Sequence, residues 1–302
     1  MEARLARDYD AVLNPEDEVY EAADLLRLTR DADGVLTAPT ERWDAELVGR
    51  LPEQVRVIAT FSVGFEHIDL DACRRRGITV TNTPDVLTEA TADIAMLCLL
   101  GAARRAWEGE TMLREGRWAP TGLLGLGLGG KVVGIVGMGR IGQAMARRAR
   151  GLGLEIHYHN RSRLPPEQEE GATYHETLQS MLPLSRFLSL HCPGGGETER
   201  LLDERAIGLL PEGAVVVNTA RGSLVDDEAL LAALRTGRVF AAGLDVFAGE
   251  PDLHPGYLGQ ANCFLLPHVG SATVEARDAM GFRCLDNLDA FFRGEPPPDS
   301  LT

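Results

Sequence analysis

One segment in the middle of the chain restricts its fold more than any other. Val132-Val133-Gly134-Ile135-Val136 reads as a buried strand, and Gly137-Met138-Gly139-Arg140-Ile141-Gly142 follows it without a spacer. The helical run IGQAMARRARGLG comes next. In a strand–GxGxxG–helix unit the first glycine allows a tight turn and the second lets backbone approach a pyrophosphate. The third lets helix and strand pack closely, while the helix N-terminus faces the phosphates. A glycine turn without this context is weak, but here strand and helix flank it on both sides, which predicts a dinucleotide site in an α/β fold.

The rest of the chain supplies the alternation such a sheet needs. Helical periodicity runs over Glu18–Arg30, strand pattern over Gly34–Ala38, and helix again over 41–50. Val55–Phe61 reads as a buried strand, Asp69–Arg76 as a short helix, and Ile78–Thr81 as a strand ended by Asn82-Thr83-Pro84. A long helix over Glu89–Arg105 leads toward a second domain, and the glycine-rich loop Gly116–Gly130 marks a boundary or a site rim. Beyond it come a strand at 131–137, a helix at 140–151 and a strand at 154–159. Further strands fall near 187–190, 214–218, 240–245 and 263–266, before a final helix over Val274–Arg293. At 302 residues two domains are expected: 1–98 with 285–302 for substrate, and 99–284 for the dinucleotide.

Composition narrows the function classes. The formal charge of −15 argues against binding a nucleic-acid backbone. Cys73, Cys98, Cys192, Cys263 and Cys284 are scattered and odd in number, which fits reduced thiols and a cytoplasmic location. The first ten residues carry no apolar signal segment, and Ile94–Ala103 is far short of the ~20 residues that span a bilayer. Lys131 is the only lysine and stands directly before a strand, so pyridoxal Schiff-base chemistry has almost no candidate. Gly125, Gly130 and Lys131 imitate a P-loop, yet Val132 replaces its Ser/Thr and the glycines precede a strand. His67, His157, His159, His175, His191 and His254 show no metal-ligand spacing, so no metal is assigned.

The end of the second strand of the motif bears on which nicotinamide nucleotide fits. An acid about 20 residues past the motif would bind the ribose hydroxyls of NAD. This chain reads His157-Tyr158-His159-Asn160-Arg161-Ser162-Arg163 instead. With no acid there and two arginines following, NADP(H) is the preferred guest and NAD(H) a possible one.

Three polar residues follow three further apolar runs: Arg221 after AVVVNTA, Glu250 after FAAGLDVFAG, and His268 after CFLLP. Ligands of open α/β sheets bind beyond the carboxyl ends of strands. A guanidinium, a carboxylate and an imidazole at those ends suit holding an anion and moving a proton. Taken singly, each has a structural alternative, as a strand-end cap, a solvated loop acid or a satisfied histidine.

Four segments, VGIVGMGRIGQ, NTARGSLVD, GLDVFAGEP and LLPHVGSAT, resemble the D-isomer-specific 2-hydroxyacid dehydrogenases, and the likeness covers almost the whole chain. LPHVGSAT, HYHNRSRL and SVGFEHID lean toward the glyoxylate/hydroxypyruvate reductase branch. The resemblance implies two doubly wound parallel-sheet domains, one Rossmann-like and one flavodoxin-like, with an active-site cleft between them. It implies reduction of a small 2-oxoacid and a homodimer, while charge and the lack of a spanning segment leave no nucleic-acid or membrane partner expected. Arg221 would clamp the substrate carboxylate, His268 would donate the proton, and Glu250 would fix the histidine tautomer. Val63 and Gly64 would offer amides to the carboxylate. Asp245 would contact the nicotinamide carboxamide. Thr91, Cys192, Pro193, Thr219, Ala220 and Gly270 would line the cofactor.

The N-terminus departs from the family. Members open with a strand, whereas MEARLARDYDAVL reads as helix and then strand, so the first strand of the small sheet is expected to be missing or replaced. A shortened N-terminus is one reading of that. Formate and phosphoglycerate dehydrogenases remain rival readings, although Glu250 stands where the former is expected to carry Gln. A nucleotide-sensing corepressor of the same superfamily keeps a similar trio, and that reading stays open beside the enzyme.

Overall fold

The computed structural model describes residues 1–302, with the side chains of all but Glu2 and Pro120. The chain opens with α1 (Glu2–Asp8), α2 (Ala22–Leu28), β1 (Gly34–Thr37), α3 (Ala45–Arg50), β2 (Val57–Thr60), α4 (Leu70–Arg76) and β3 (Thr79–Thr81). There follow α5 (Thr88–Ala103), α6 (Ala106–Arg114), β4 (Val132–Val136), α7 (Arg140–Gly151), β5 (Glu155–His159), α8 (Pro166–Glu169) and β6 (Thr173–His175). The remainder is α9 (Leu178–Met181), β7 (Phe187–Leu190), α10 (Glu204–Leu209), β8 (Ala214–Asn218), α11 (Asp227–Thr236), β9 (Val239–Leu244), β10 (Cys263–Leu265) and α12 (Val274–Phe292).

Helix starts follow the sequence closely. Asp44, Asp69, Asp203, Asp226 and Thr273 each accept a hydrogen bond from the backbone N–H three residues on, satisfying a donor the helix leaves orphaned. The Asp44 cap explains why the helix expected over 41–50 begins only at Ala45.

The larger unit, Thr88–Ser271, holds seven parallel strands in the order β10-β9-β8-β7-β4-β5-β6. Strands β7 and β8 are buried along their whole length, as continuous apolar runs with helices on both faces should be. Strand order reverses between β4 and β7. That switch point is where an open α/β sheet leaves a crevice for a dinucleotide.

The smaller unit, Met1–Leu87 with Ala272–Thr302, holds three parallel strands in the order β1-β2-β3. Its cores form around Trp43, whose Nε1–H donates to Thr37 Oγ1 at 2.8 Å, and around Val57, Ala59, Leu285 and Leu288.

Three expectations change. The units divide at 87/88 and 271/272, not at 98/99 and 284/285. Helix α5 lies against the large sheet so closely that a Cβ on Gly243 would stand 2.4 Å from the Cys98 carbonyl oxygen, while α12 shares a core with β2. Second, the strand expected after the N-terminal helix does not form, because Val12 and Leu13 are exposed and have no face to bury. Helix α1 instead clamps to α12, with Arg4 bonded to Asp286 and Asp289 and Tyr9 Oη donating to Asp289. Among the described residues, β1 pairs with β2 alone. Third, β6 and the helices α6, α8, α9, α10 and α11 are additional elements. Among the described residues, no helix is long and apolar enough to cross a membrane.

Candidate active site

Val136 pairs with His159 and with Leu190, so the loops after β4, β5 and β7 leave the sheet side by side. Gly137 turns at φ +94°, and a Cβ there would lie 2.5 Å from the Cys192 backbone nitrogen. Any side chain would therefore drive the β4 and β7 loops apart. A Cβ on Gly142 would meet the Gly137 carbonyl at 2.2 Å, whereas one on Gly139 would meet only open space. The cradle is closed behind and open in front, as a backbone surface for a pyrophosphate must be. Met138 is buried, and Arg140 and Ile141 begin α7. Asn160 occupies the place of the ribose-binding acid, and its Oδ1 accepts from the Met138 N–H at 2.6 Å.

Arg161 and Ser162 are exposed on the loop after β5. Arg163 is not equivalent to Arg161: its Nε and Nη2 donate to Glu169 at 2.7 and 3.0 Å. Glu169 comes from α8, so an acid does reach this loop, from a position that strand-end spacing does not single out.

Beyond β8, Asn218 shapes the turn that carries Thr219, Ala220 and Arg221. Its Nδ2 donates to the Arg221 carbonyl at 2.8 Å and its Oδ1 accepts from the Ala220 N–H at 3.1 Å. Gly222 must follow, because a Cβ there would stand 1.9 Å from the Phe247 carbonyl carbon. The Arg221 turn and the loop leading to Glu250 thus touch backbone to backbone. Arg221 Nη1 donates to Ala220 O at 2.6 Å.

Glu250 links two elements. Its Oε1 accepts from the Phe247 N–H at 2.7 Å, and its Oε2 lies 2.6 Å from His268 Nδ1. His268 sits at φ +54°, a left-handed conformation rare for a residue with a side chain. Strain of this kind clusters at functional sites. The hydrogen bond to Glu250 raises the His268 pKa, with burial opposing it. Burial alone would raise Glu250, but the bonds from His268 and the Phe247 amide hold its carboxyl below the usual range. The Arg221 charge lowers both, so the three groups share one electrostatic neighbourhood.

Asp245, just past β9, is buried, and burial pushes its pKa up. Its Oδ1 accepts from the Val269 N–H at 2.8 Å, while Oδ2 meets no hydrogen-bond partner among the described residues. A Cβ on Gly270 would fall 3.2 Å from that Oδ2 and 3.4 Å from Thr91 Cγ2, which brings Thr91, Asp245 and Gly270 together. Thr219 Oγ1 is likewise buried and without a partner. Cys192 and Pro193 stand beside the Gly137 turn. Two orphaned polar atoms and an open glycine cradle on one sheet edge are the features a nicotinamide dinucleotide would complete.

Val63 and Gly64 belong to the smaller unit. A chain of bonds holds their loop: Thr60 Oγ1 is 2.8 Å from Ser62 Oγ and 3.0 Å from His67 Nε2, and Ser62 Oγ donates to the Gly64 carbonyl. Asn82 Nδ2 donates to the Val63 carbonyl at 2.8 Å. Among the described residues no group of three His, Cys, Asp or Glu is placed to hold a metal ion.

Comparison with known proteins agrees with this architecture. Residues 96–270 match the NAD binding domain of the D-isomer specific 2-hydroxyacid dehydrogenases. Glycerate dehydrogenase of Hyphomicrobium methylovorum is 45% identical over 297 residues, 97% of this chain and 92% of that one. Glyoxylate reductase of Thermococcus litoralis is 43% identical, over 91% and 85% of the two chains. The crystal structure of an NADPH-dependent glyoxylate/hydroxypyruvate reductase from Sinorhizobium meliloti, in complex with NADP and malonate, matches with a TM-score of 0.89. It is 36% identical, over 99% of this chain and 92% of that one. The chain belongs to the D-isomer specific 2-hydroxyacid dehydrogenase family. It is an NAD(P)-dependent enzyme of that family.

Proposed function

We propose that the enzyme reduces a small 2-oxoacid, glyoxylate or hydroxypyruvate, with NADPH as the preferred donor. The product is the 2-hydroxyacid, the D isomer where C2 is chiral. The observation that carries this reading is the grouping of Arg221, Glu250 and His268 on the strand-end side of the sheet that also bears the glycine cradle.

The bound nicotinamide supplies the hydride. The chain's own residues do the rest. Gly137–Gly142 would hold the pyrophosphate, Asp245 the carboxamide, and Asn160 and Arg161 the adenosine ribose and its 2′-phosphate. Arg221 presents a planar fork to the substrate carboxylate, and the family resemblance assigns the Val63 and Gly64 amides to the same group. Protonated His268 carries N–H on both ring nitrogens. Nδ1–H stays with Glu250, so Nε2–H is the one that protonates the forming alkoxide oxygen. The Glu250 carboxylate fixes the ring orientation and keeps the imidazolium populated nearer neutral pH.

Arg161 on an acid-free strand end supports NADPH, as does the likeness to an NADPH-dependent relative. The test is steady-state kinetics with a panel of 2-oxoacids and both nucleotides. A higher kcat/KM for NADPH with glyoxylate or hydroxypyruvate is expected, and equal use or a preference for NADH overturns the choice of donor.

Two further assignments belong to this reading. A homodimer is supported by exposed Trp107 and Leu258, which flank a recess of about 310 Å³ beside the edge strand β10. A monomeric mass by light scattering contradicts it. Five unpaired cysteines support a reducing, cytoplasmic location.

A further inference from the structure

The loop after β5 carries two arginines, and their surroundings differ. Arg163 donates through both Nε and Nη2 to Glu169, whose side chain solvent hardly reaches. Tyr158 Oη donates to the same carboxylate at 2.7 Å, and the Leu164 N–H donates back to Tyr158 Oη at 3.1 Å. The Arg163 guanidinium lies 5.7 Å from the centre of the Tyr174 ring. Glu169 is fixed in turn through its carbonyl, which accepts from Arg150 Nη2 at 2.8 Å. The carboxyl is pulled down to about 2, first by Arg163 and then by Tyr158, so the pair stays ionised throughout the working pH range.

Arg161, two residues earlier, is exposed and makes no side-chain hydrogen bond or ion pair among the described residues. It directly follows Asn160, which is bonded to the dinucleotide turn.

We propose that the two arginines divide their work: Arg161 reads the 2′-phosphate of the cofactor, while Arg163 is committed to Glu169 in a clasp that positions the loop. The inference rests on the NADPH reading above and deepens it. A phosphate carries close to two negative charges and seeks an uncompensated cation. An Arg–Glu pair presents almost no net charge to it, and two of the five donors of Arg163 are already taken. Glu169 and Arg163 are therefore positioning residues, and selectivity sits on Arg161.

Calorimetric titration with adenosine 2′,5′-bisphosphate and with 5′-AMP isolates the 2′-phosphate. The wild type is expected to prefer the bisphosphate. Arg161→Ser should lose about tenfold or more of that preference. Arg163→Ser should weaken both ligands together and leave their ratio within about twofold, as a loosened loop would. Should Arg163→Ser not fold, the Arg163→Gln/Glu169→Gln pair, which replaces the ion pair by neutral amides, gives the same readout. A ratio that collapses on losing Arg163, or survives the loss of Arg161, overturns the division of labour while leaving the NADPH reading intact. A wild type indifferent to the 2′-phosphate overturns both.

Discussion

Glu250 Oε2 lies 2.6 Å from His268 Nδ1, and this contact sets the protonation of the histidine. A bond to a carboxylate favours the charged imidazolium, so the His268 pKa is raised. In the proposed reduction the imidazolium is the form that donates the proton. Activity should hold at lower pH and fall as pH rises through the raised His268 value. In Glu250→Gln the carboxylate is gone, and the alkaline limb of the kcat/KM profile should move to lower pH. An unmoved limb would show that Glu250 does not tune the proton donor.

The same pair bears on stability with opposite signs for its members. A raised His268 contributes below its unfolded pKa and is lost as pH rises through the folded one. A lowered Glu250 contributes above its unfolded pKa and is lost as pH falls through the folded one. His268 is half exposed, so screening keeps the effect small.

Arg221→Ala should cost roughly 3 kcal/mol, about a hundredfold, in kcat/KM for glyoxylate, the range measured when one partner of a charge-assisted pair is removed. The KM for NADPH should stay near its wild-type value, because Arg221 is assigned to the substrate carboxylate. Initial-rate kinetics over both substrates check this, and an unchanged glyoxylate KM and kcat would remove Arg221 from the carboxylate.

Thr60→Val keeps the shape of a buried side chain but removes one bond from Ser62, whose hydroxyl still donates to the Gly64 carbonyl, and one from His67. The Val63–Gly64 loop keeps the bonds to its Gly64 and Val63 carbonyls but loses the hydroxyl that anchors Ser62 to β2. A rise of roughly threefold or more in the oxoacid KM is expected, with the NADPH KM unaltered. If both rise together, the loop has no special role in holding the carboxylate.

Gly222→Ala would place a methyl 1.9 Å from the Phe247 carbonyl carbon, so the backbone must yield. Overpacking of this kind costs about 1–3 kcal/mol, which lowers Tm by several degrees. Activity should fall as well, because the same contact joins the Arg221 turn to the Glu250 loop. A melting curve and rate equal to wild type would show that the close approach is not maintained in solution.

Much of this was legible in the residues. Apolar runs such as AVVVN and VVGIV lie in β8 and β4, where parallel strands buried on both faces carry short, continuous, β-branched runs. The trio was readable as polar residues at strand ends, and Asn218 had a similar signal as the one polar residue closing β8. Other features left no such trace. Strand β6 is three residues of Thr-Tyr-His at the sheet edge, too short for a period to show, and α6 buries no residue. The segment after α1 had strand composition but no surface to bury it against. The boundary before α5 is set by the contact of Cys98 with Gly243, which sequence distance hides. Glu169 is only six residues from Arg163, but it lies on α8 and not at the end of β5, so strand-end spacing does not single it out.

The most direct measurement is the loss of NADPH absorbance with glyoxylate, followed for the wild type and for His268→Gln. Wild-type turnover is expected, with kcat in the variant reduced by about 10²–10⁴-fold and the glyoxylate KM little changed, as removal of a general acid should do. Wild-type kcat in His268→Gln, or no oxidation of NADPH by any 2-oxoacid in the wild type, would contradict the account.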